Sequence, residues 1–269
     1  MTKTNDRRGP LPVQSVGRSL DLLEAVAEDE LGLVALAERA GLGPSTAYRI
    51  LSTLMERGYV TRSAQTGHFR LGSKLVELAS AAARGNERLR AALHPHLRQL
   101  RDETGETANL VVLDGRSIVY VDQVESSRAV RMFTTIGRRV PLHASGGGKA
   151  IAAFAPDALV DELVEHGLER LTPHTLATPK ALRADLAQVR ARGYAIDHEE
   201  YEAGVVCVAA PIFGPSGEVL AAASISGPAA RMQEHDLDAL GAIVREHTRR
   251  ASTEIGAATD AAGALAAGA

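Results

Sequence analysis

Tryptophan is missing from the 269-residue chain, and aromatic side chains make up only 3% of it. So few rings exclude an aromatic platform of the kind that grips single-stranded nucleic acid. The single cysteine, Cys207, rules out both a disulfide framework and a cysteine-based zinc site. The longest uninterrupted apolar run, Val205 to Phe213, is far too short to span a bilayer, so no transmembrane helix and no membrane partner are expected. Met1 to Pro10 are polar and carry no apolar core of a secretory signal, which points to a cytoplasmic protein.

A complete catalytic signature is also missing. Gly146-Gly147-Gly148-Lys149 superficially suggests a phosphate loop. The pattern G-x4-G-K-[ST] fails twice, because His143 stands at its first glycine and Ala150 at its hydroxyl residue. No G-x-S-x-G elbow occurs. His94 and His96 flank Pro95 at i, i+2, a poor spacing for two metal ligands on one helix face. The reading is therefore a non-enzyme with no cofactor; a metal ion held by His143 or Asp197 is the one addition left open. A small-acid-processing enzyme with a DNA-binding domain is the remotest alternative.

What is present is an ordinary globular balance, 45% hydrophobic and 23% charged, on a chain long enough for one large domain or two modest ones. The net charge of −3 is uninformative, but its distribution is not. Between Arg39 and Lys74 there are six basic residues (Arg39, Arg49, Arg57, Arg62, Arg70 and Lys74) against Glu56 alone, a local +5 on a chain whose remainder sums to −8. A basic segment on an acidic chain is the electrostatic footprint of a nucleic-acid-binding module. The same segment shows no clustered run of ring residues of the kind on which RNA readers stack bases, which favours double-stranded DNA.

The pattern along the chain gives that segment a shape. Val16, Leu20, Leu23 and Ala27 recur at helical spacing after Ser15, a plausible cap. Leu33 to Ala40 reads as a second short helix, stopped by Gly41. A third starts at Pro44, runs to Arg57 and closes at Gly58, with Ala47, Ile50, Leu51 and Leu54 inward. Tyr59 to Ser63 and Gly67 to Leu71 read as a hairpin. Three helices and a hairpin form the order of a winged helix-turn-helix. On the third helix Ser45 and Arg49 lie opposite the apolar stripe, flanked by Thr46 and Tyr48. Small hydroxyl residues at a helix start suit phosphates and base edges, and an arginine one turn in suits guanine. Arg62, His68 and Arg70 stand where a wing would grip the backbone or minor groove.

Beyond the hairpin, Leu71, Leu75, Leu78 and Ala82 continue a narrow stripe through a helix expected to end near Gly85, with another from Glu87 broken or kinked at Pro95. After Gly105 the apolar period changes to two. Thr107 to Leu113 and Ser117 to Val124 flank Asp114-Gly115, a strong hairpin signal, and Val130 to Thr135 reads as a further strand. Helices are expected near 147–154, 157–166 and 180–192. Tyr194 to Asp197, Val205 to Ile212 and Glu218 to Ser226 read as strands, and Leu237, Leu240 and Val244 mark a final helix. The class is α+β with a mostly antiparallel sheet.

Several stretches, in order, resemble one family. VQSVGRSLDLLEAV, LAERAGLGPSTAYRILSTLMERGYV and GHFRLGSKLVELA lie in the first part, and ETGETANLVVLDG, VPLHASGGGKAIAAF, RGYAID, GVVCVAAPIF and SISGP in the second. From about Val13 to Arg250 the chain resembles the IclR (isocitrate lyase regulator) type of bacterial transcription factor. The resemblance implies a flexible arm over 1–12, a winged helix-turn-helix over 13–72, a linker helix over 73–86, a GAF-like effector domain over 87–256 and a flexible tail over 257–269. It further implies a repressor, with an activator of the same family as the alternative, acting as a dimer or dimer of dimers on a palindromic operator and answering to a small organic acid.

Carried over position by position, the resemblance puts the effector site at Met132, Ser145, Gly146, Gly147, Asp197, Val205, Cys207, Ser224 and Ser226. Ser224 and Ser226, at i, i+2 on one strand, share a face, and the glycines precede a helix whose amides suit a carboxylate. Gly147 stands where relatives often carry a side chain, and His198 where they are often acidic, with Tyr201 at a variable rim. These departures imply room for a larger or aromatic acid.

Overall fold

The computed structural model describes residues 13–256; the arm over 1–12 and the tail over 257–269 lie outside the described residues. Two compact units divide the chain, the first ending at Gly85 and the second beginning at Asn86.

In the first unit α1 (Gln14–Glu28), α2 (Leu33–Arg39) and α3 (Pro44–Glu56) precede the hairpin of β1 (Val60–Arg62) and β2 (Phe69–Leu71). Proline opens α3, where its missing N–H is no loss. Gly58, at φ 76°, turns the chain into β1. Leu22, Leu36, Leu51 and Phe69 are fully buried at the centre. Leu31 forms an isolated bridge to Phe69, so the hairpin is stitched to the turn before α2.

The expected face of α1 is corrected. Leu22, Ala25 and Val26 are its buried residues, whereas Val16 and Leu20 are more than half exposed. Both sets recur at helical spacing, and packing against α2 and β2 selects the one that meets Leu36 and Phe69. The cap is Val13 rather than Ser15.

α4 (Ser73–Thr104) is one helix where two were expected. It runs through Gly85 and Pro95 without interruption. An interior glycine costs only about 1 kcal/mol, and a proline removes one hydrogen bond. Leu93, Leu97 and Leu100, all buried, tie this end of α4 to the core of the second unit and outweigh both.

The second unit is built on a six-stranded sheet whose strand pairs are all antiparallel. It contains β3 (Thr107–Asp114), β4 (Ser117–Val124), β5 (Arg139–Pro141), β6 (Ala195–His198), β7 (Val205–Phe213) and β8 (Val219–Pro228), in the order β5-β4-β3-β8-β7-β6. Gly115 takes φ 60° as the first residue of the two-residue turn joining β3 to β4. The edge strand expected over Val130–Thr135 is absent, and Arg139–Pro141 pairs with β4 instead. Two contacts hold the replaced segment without a ladder: Thr107 donates its hydroxyl to the Met132 carbonyl, and Arg131 reaches Glu125; the buried Thr134 hydroxyl is left without a partner.

Alternation divides the sheet into two faces. Val206, Val208, Ala210 and Ile212 of β7 meet α4, α8 (Ala229–Met232) and α9 (Leu237–Glu254) in one core. Cys207 and Ala209 point the other way, toward α5 (Gly146–Ala152), α6 (Asp157–His166) and α7 (Pro179–Arg192). β4 carries an irregularity: Val111 opposes Tyr120 while Leu110 opposes Asp122. The extra residue lets Tyr120 face one side of the sheet and Asp122 the other, where it meets His94 of α4 at 2.8 Å.

Candidate functional site

The sheet face beneath α5 carries a row of polar side chains. Ladder registers set Thr107 opposite Ser226, Ser226 opposite Cys207 and Cys207 opposite Asp197, across four adjacent strands. One step along, Asn109 opposes Ser224. All six are buried. Four of them, Asp197, Cys207, Ser224 and Ser226, form the floor of a pocket.

Above that floor the chain turns through Leu142–Ala144 into α5. Ser145 caps the helix: its Oγ accepts from Gly148 N–H at 3.2 Å and donates to the Pro141 carbonyl. The glycines permit close approach. A Cβ at Gly148 would stand 2.2 Å from the Leu142 carbonyl oxygen, and one at Gly146 2.9 Å from Cys207 Sγ. The third wall is the turn after β6, where Glu199 holds φ 61°. Thr172 and Thr175 donate hydroxyls to the Glu199 and Glu200 carbonyls, and Glu200 N–H donates to Asp197 Oδ1 at 2.7 Å. Tyr201, held by Arg138 at 3.0 Å, stands at the rim.

These walls enclose a small cavity of about 20 Å³ that opens at its mouth. Met132, Ser145, Gly146, Gly147, Asp197, Val205, Cys207, Ser224 and Ser226 all line it. Sequence reasoning missed Val111, Ile118, Tyr120, Val140 and Glu202, which line it as well. Of these, Tyr120 carried a usable signal: a phenol in an otherwise apolar buried strand needs a polar neighbour.

One expectation about its size is corrected. A Cβ at Gly147 would meet Val111 Cγ2 at 2.7 Å, so the space its missing side chain would fill is already taken by Val111 and widens nothing. His198 is exposed and does not line the pocket.

Lys149, the residue a phosphate loop would present to its ligand, is fully buried away from the pocket. Its Nζ donates to the Ile196 carbonyl at 2.7 Å and Glu200 Oε1 at 2.5 Å, with Asp185 Oδ2 at 3.1 Å. His143 lies outside this lining and bonds the Glu169 carbonyl. Among the described residues no three His, Cys, Asp or Glu side chains converge to hold a metal ion.

Burial pushes Asp197 up to about 7; the Glu200 carboxylate adds to this, against the Glu200 N–H and the Lys149 ammonium. Burial also pushes the Cys207 thiol up to about 11, so it stays protonated near neutrality. Burial raises the Tyr120 phenol above its ordinary value.

In the first unit Ser45, Tyr48 and Arg49 are exposed on α3 and Thr46 is half-buried beside them. The hairpin residues separate. Arg70 pairs with Thr61 on one face, while Arg62 shares the other face with Phe69, stacks over its ring at 5.4 Å and donates to the Gly67 carbonyl at 2.8 Å. His68 is half-buried against Gly32. Arg39 is paired with Glu28 and Asp29, and Lys74 with Glu77, so part of the +5 is neutralised by acids outside the segment.

Two family models match this chain: the IclR helix-turn-helix domain over residues 15–64 and the bacterial transcriptional regulator IclR C-terminal domain over 81–253. The chain belongs to the IclR family. It is 42% identical over 242 residues to the HTH-type transcriptional regulator BhcR of Paracoccus denitrificans, covering 89% of this chain and 86% of that protein. It is 40% identical over 237 residues to the transcriptional repressor IclR of Escherichia coli, covering 86% of each. An IclR homologue from Microbacterium hydrocarbonoxydans, solved with 4-hydroxybenzoate, superposes with a TM-score of 0.74 at 28% identity, covering 90% of this chain and 99% of that one. This IclR-family chain is thus a DNA-binding transcriptional regulator, and its relatives are named as regulators and repressors rather than enzymes. None of the helices among the described residues is long and apolar enough to cross a membrane.

Proposed function

We propose that this IclR-family regulator is a cytoplasmic repressor whose hold on a palindromic operator is controlled by a small carboxylic acid in the second unit. Residues 13–72 bind DNA, 73–86 link, and 87–256 sense. The observation that carries this reading is convergence: nine residues from five separate segments of the sequence line one pocket floored by buried hydroxyls. Hydroxyls of Ser224 and Ser226 donate to the acid, together with amides at the start of α5. The 4-hydroxybenzoate bound to the Microbacterium homologue supports an acid as the ligand class. With Val111 filling the space at Gly147, the pocket favours a compact acid over a bulky one.

Ser45, Thr46, Tyr48 and Arg49 read the major groove, and Arg70 faces the backbone. Arg62 and His68 serve mainly to fix the shape of the wing, since one is tied to Gly67 and the other packs on Gly32. Self-association doubles the phosphate contacts and matches a two-fold operator. Half-buried Leu75 and exposed Leu78, three residues apart on one face of α4, supply an apolar stripe for it.

The test combines genomic footprinting with titration of the purified chain by keto, hydroxy and aromatic acids. At least one acid should change operator affinity by a coupling of about 1–3 kcal/mol, and Ser224→Ala/Ser226→Ala should weaken that acid without altering ligand-free DNA binding. Unchanged acid affinity in the double variant would place the effector elsewhere.

A further inference from the structure

An acid entering this pocket meets no cation. Its ionisable lining consists of Tyr120, Asp197, Tyr201, Glu202 and Cys207, without a single lysine, arginine or histidine. The cation behind the wall, Lys149, is shared between Glu200 and Asp185, so that buried cluster already holds more carboxylate than ammonium. Arg138 is spent on the ring and hydroxyl of Tyr201. Two carboxylates brought together in a desolvated site cannot both remain ionised; one takes a proton, as paired acids do in enzyme dyads.

We propose that a carboxylate ligand enters this pocket together with one proton, and that Asp197 carries that proton and donates it as a hydrogen bond to the ligand. The inference rests on the pocket being the effector site and says how that site tolerates an anion. Bond bookkeeping is simple: a solvent proton adds to Asp197, and no covalent bond to the ligand forms. The pocket then selects monoanions, since a second ligand charge would need a second proton, and Glu202 at the mouth repels it.

Around Asp197, burial and the Glu200 carboxylate favour the proton and outweigh Lys149 and the Glu200 and Tyr201 amides, which favour the ionised form. Cys207 faces it from β7 and stays protonated, and Tyr120 from β4 likewise remains a neutral phenol. Glu200 and Glu202 approach from the turn after β6, one hydrogen-bonding Asp197 through its amide and the other lining the mouth. Lys149 acts from α5 and Asp185 from α7, through the lysine. Burial and Glu200 already bring the ligand-free carboxyl to about 7, so little further change is required when an anion arrives.

Two measurements on the full chain test this. Carbon-13 NMR of labelled aspartate, comparing wild type with Asp197→Asn, reads the ligand-free carboxyl; titration near neutrality is expected. Calorimetry with pyruvate and with 4-hydroxybenzoate, in buffers of different ionisation enthalpy, reads protons bound per ligand. At about pH 8 close to one proton should be taken up, and affinity should fall about tenfold per pH unit above neutrality. In Asp197→Asn, which keeps the oxygen that accepts from Glu200, both effects should vanish. Binding of either acid without proton uptake at that pH would overturn the proposal. If neither acid binds, the NMR titration decides alone, and an ordinary carboxylate value for Asp197 overturns it. Proton-coupled binding that leaves operator affinity unchanged would instead count against the regulatory reading.

Discussion

His96 of α4 meets Glu254 of α9 at 2.9 Å, and two turns further along each helix the contact is returned, His247 of α9 meeting Glu103 of α4 at the same distance. Each imidazole commits Nε2 to the carboxylate and leaves Nδ1 buried without a partner, beside a small cavity of about 10 Å³ lined also by Leu93, Leu97 and Ile212. The two helices are therefore joined by apolar packing with a polar contact at either end. Glu254 is 65% exposed, so its contact contributes little, whereas the ring itself fills core volume.

From this follows an ordering of variants. His96→Ala should destabilise the protein by about 2–3 kcal/mol, because it leaves a cavity. His96→Leu should stay within about 1 kcal/mol of wild type, since it keeps the volume and removes an unpartnered nitrogen. Urea denaturation checks the order. Equal losses in the two variants would mean that the Glu254 contact, not the packing, matters.

Asp197 also imposes a pH dependence on folding. Its carboxyl is raised in the folded protein, so the stability it contributes is complete below its unfolded value of about 4 and lost as pH rises through about 7. Asp197→Asn should gain on wild type by a few kcal/mol across that window and hold a constant advantage above it. Thermal unfolding of both proteins at steps between about pH 4 and about pH 8 reads the difference.

Lys149 supports the same wall from behind. Lys149→Met removes the one cation shared by Glu200 and Asp185 and leaves buried carboxylates uncompensated. Breaking one side of such a cluster costs about 3–5 kcal/mol, so the variant should unfold at markedly lower denaturant, with partial rescue in Lys149→Met/Glu200→Gln.

On the DNA side, Arg49→Ala should leave the fold intact, since the residue is exposed on α3. It should relax operator discrimination by about 1–3 kcal/mol. Arg62→Ala should act differently, loosening the wing through Phe69 and Gly67 and weakening all sequences alike. Footprints of both variants on matched and mismatched sites separate the two effects.

Self-association has its own test. Leu78→Glu places charge on the exposed end of the Leu75–Leu78 stripe of α4, where a monomer would accept it at under about 0.5 kcal/mol. Sedimentation should show dissociation with the fold retained. An unchanged mass would move the interface away from α4.

The pocket residues were legible through the family resemblance; alternation by itself set only Ser224 and Ser226 on one face. Strand register, which the sequence does not show, adds Cys207 and Asp197 beside them. Val111, Ile118 and Val140 escaped notice because an apolar residue looks the same whether it lines a pocket or fills a core. The hairpin turn at Gly115 was readable because its backbone demands a particular residue type. Length and orientation of helices were less so: α1 offered two apolar stripes, and α4 crossed a glycine and a proline because Leu93, Leu97 and Leu100 hold it against the sheet. The false strand over Val130–Thr135 failed for lack of a partner, not of composition, and Val130 and Phe133 remain exposed there.

The floor of the pocket is a ladder of strands, and that restricts how its ligand preference can change. Opposed residues in such a ladder sit about 5 Å apart at the Cβ atoms, a spacing that cannot drift without re-registering a strand. Ser226, Cys207 and Asp197 thus form a ruler of fixed pitch against which any acid is measured. Tyr201, Glu202 and Met132 come from connecting segments and carry no such constraint. A biosensor built from this protein would be retuned at those three positions, by substitutions that redraw the mouth while the graduations beneath it stay where the sheet put them.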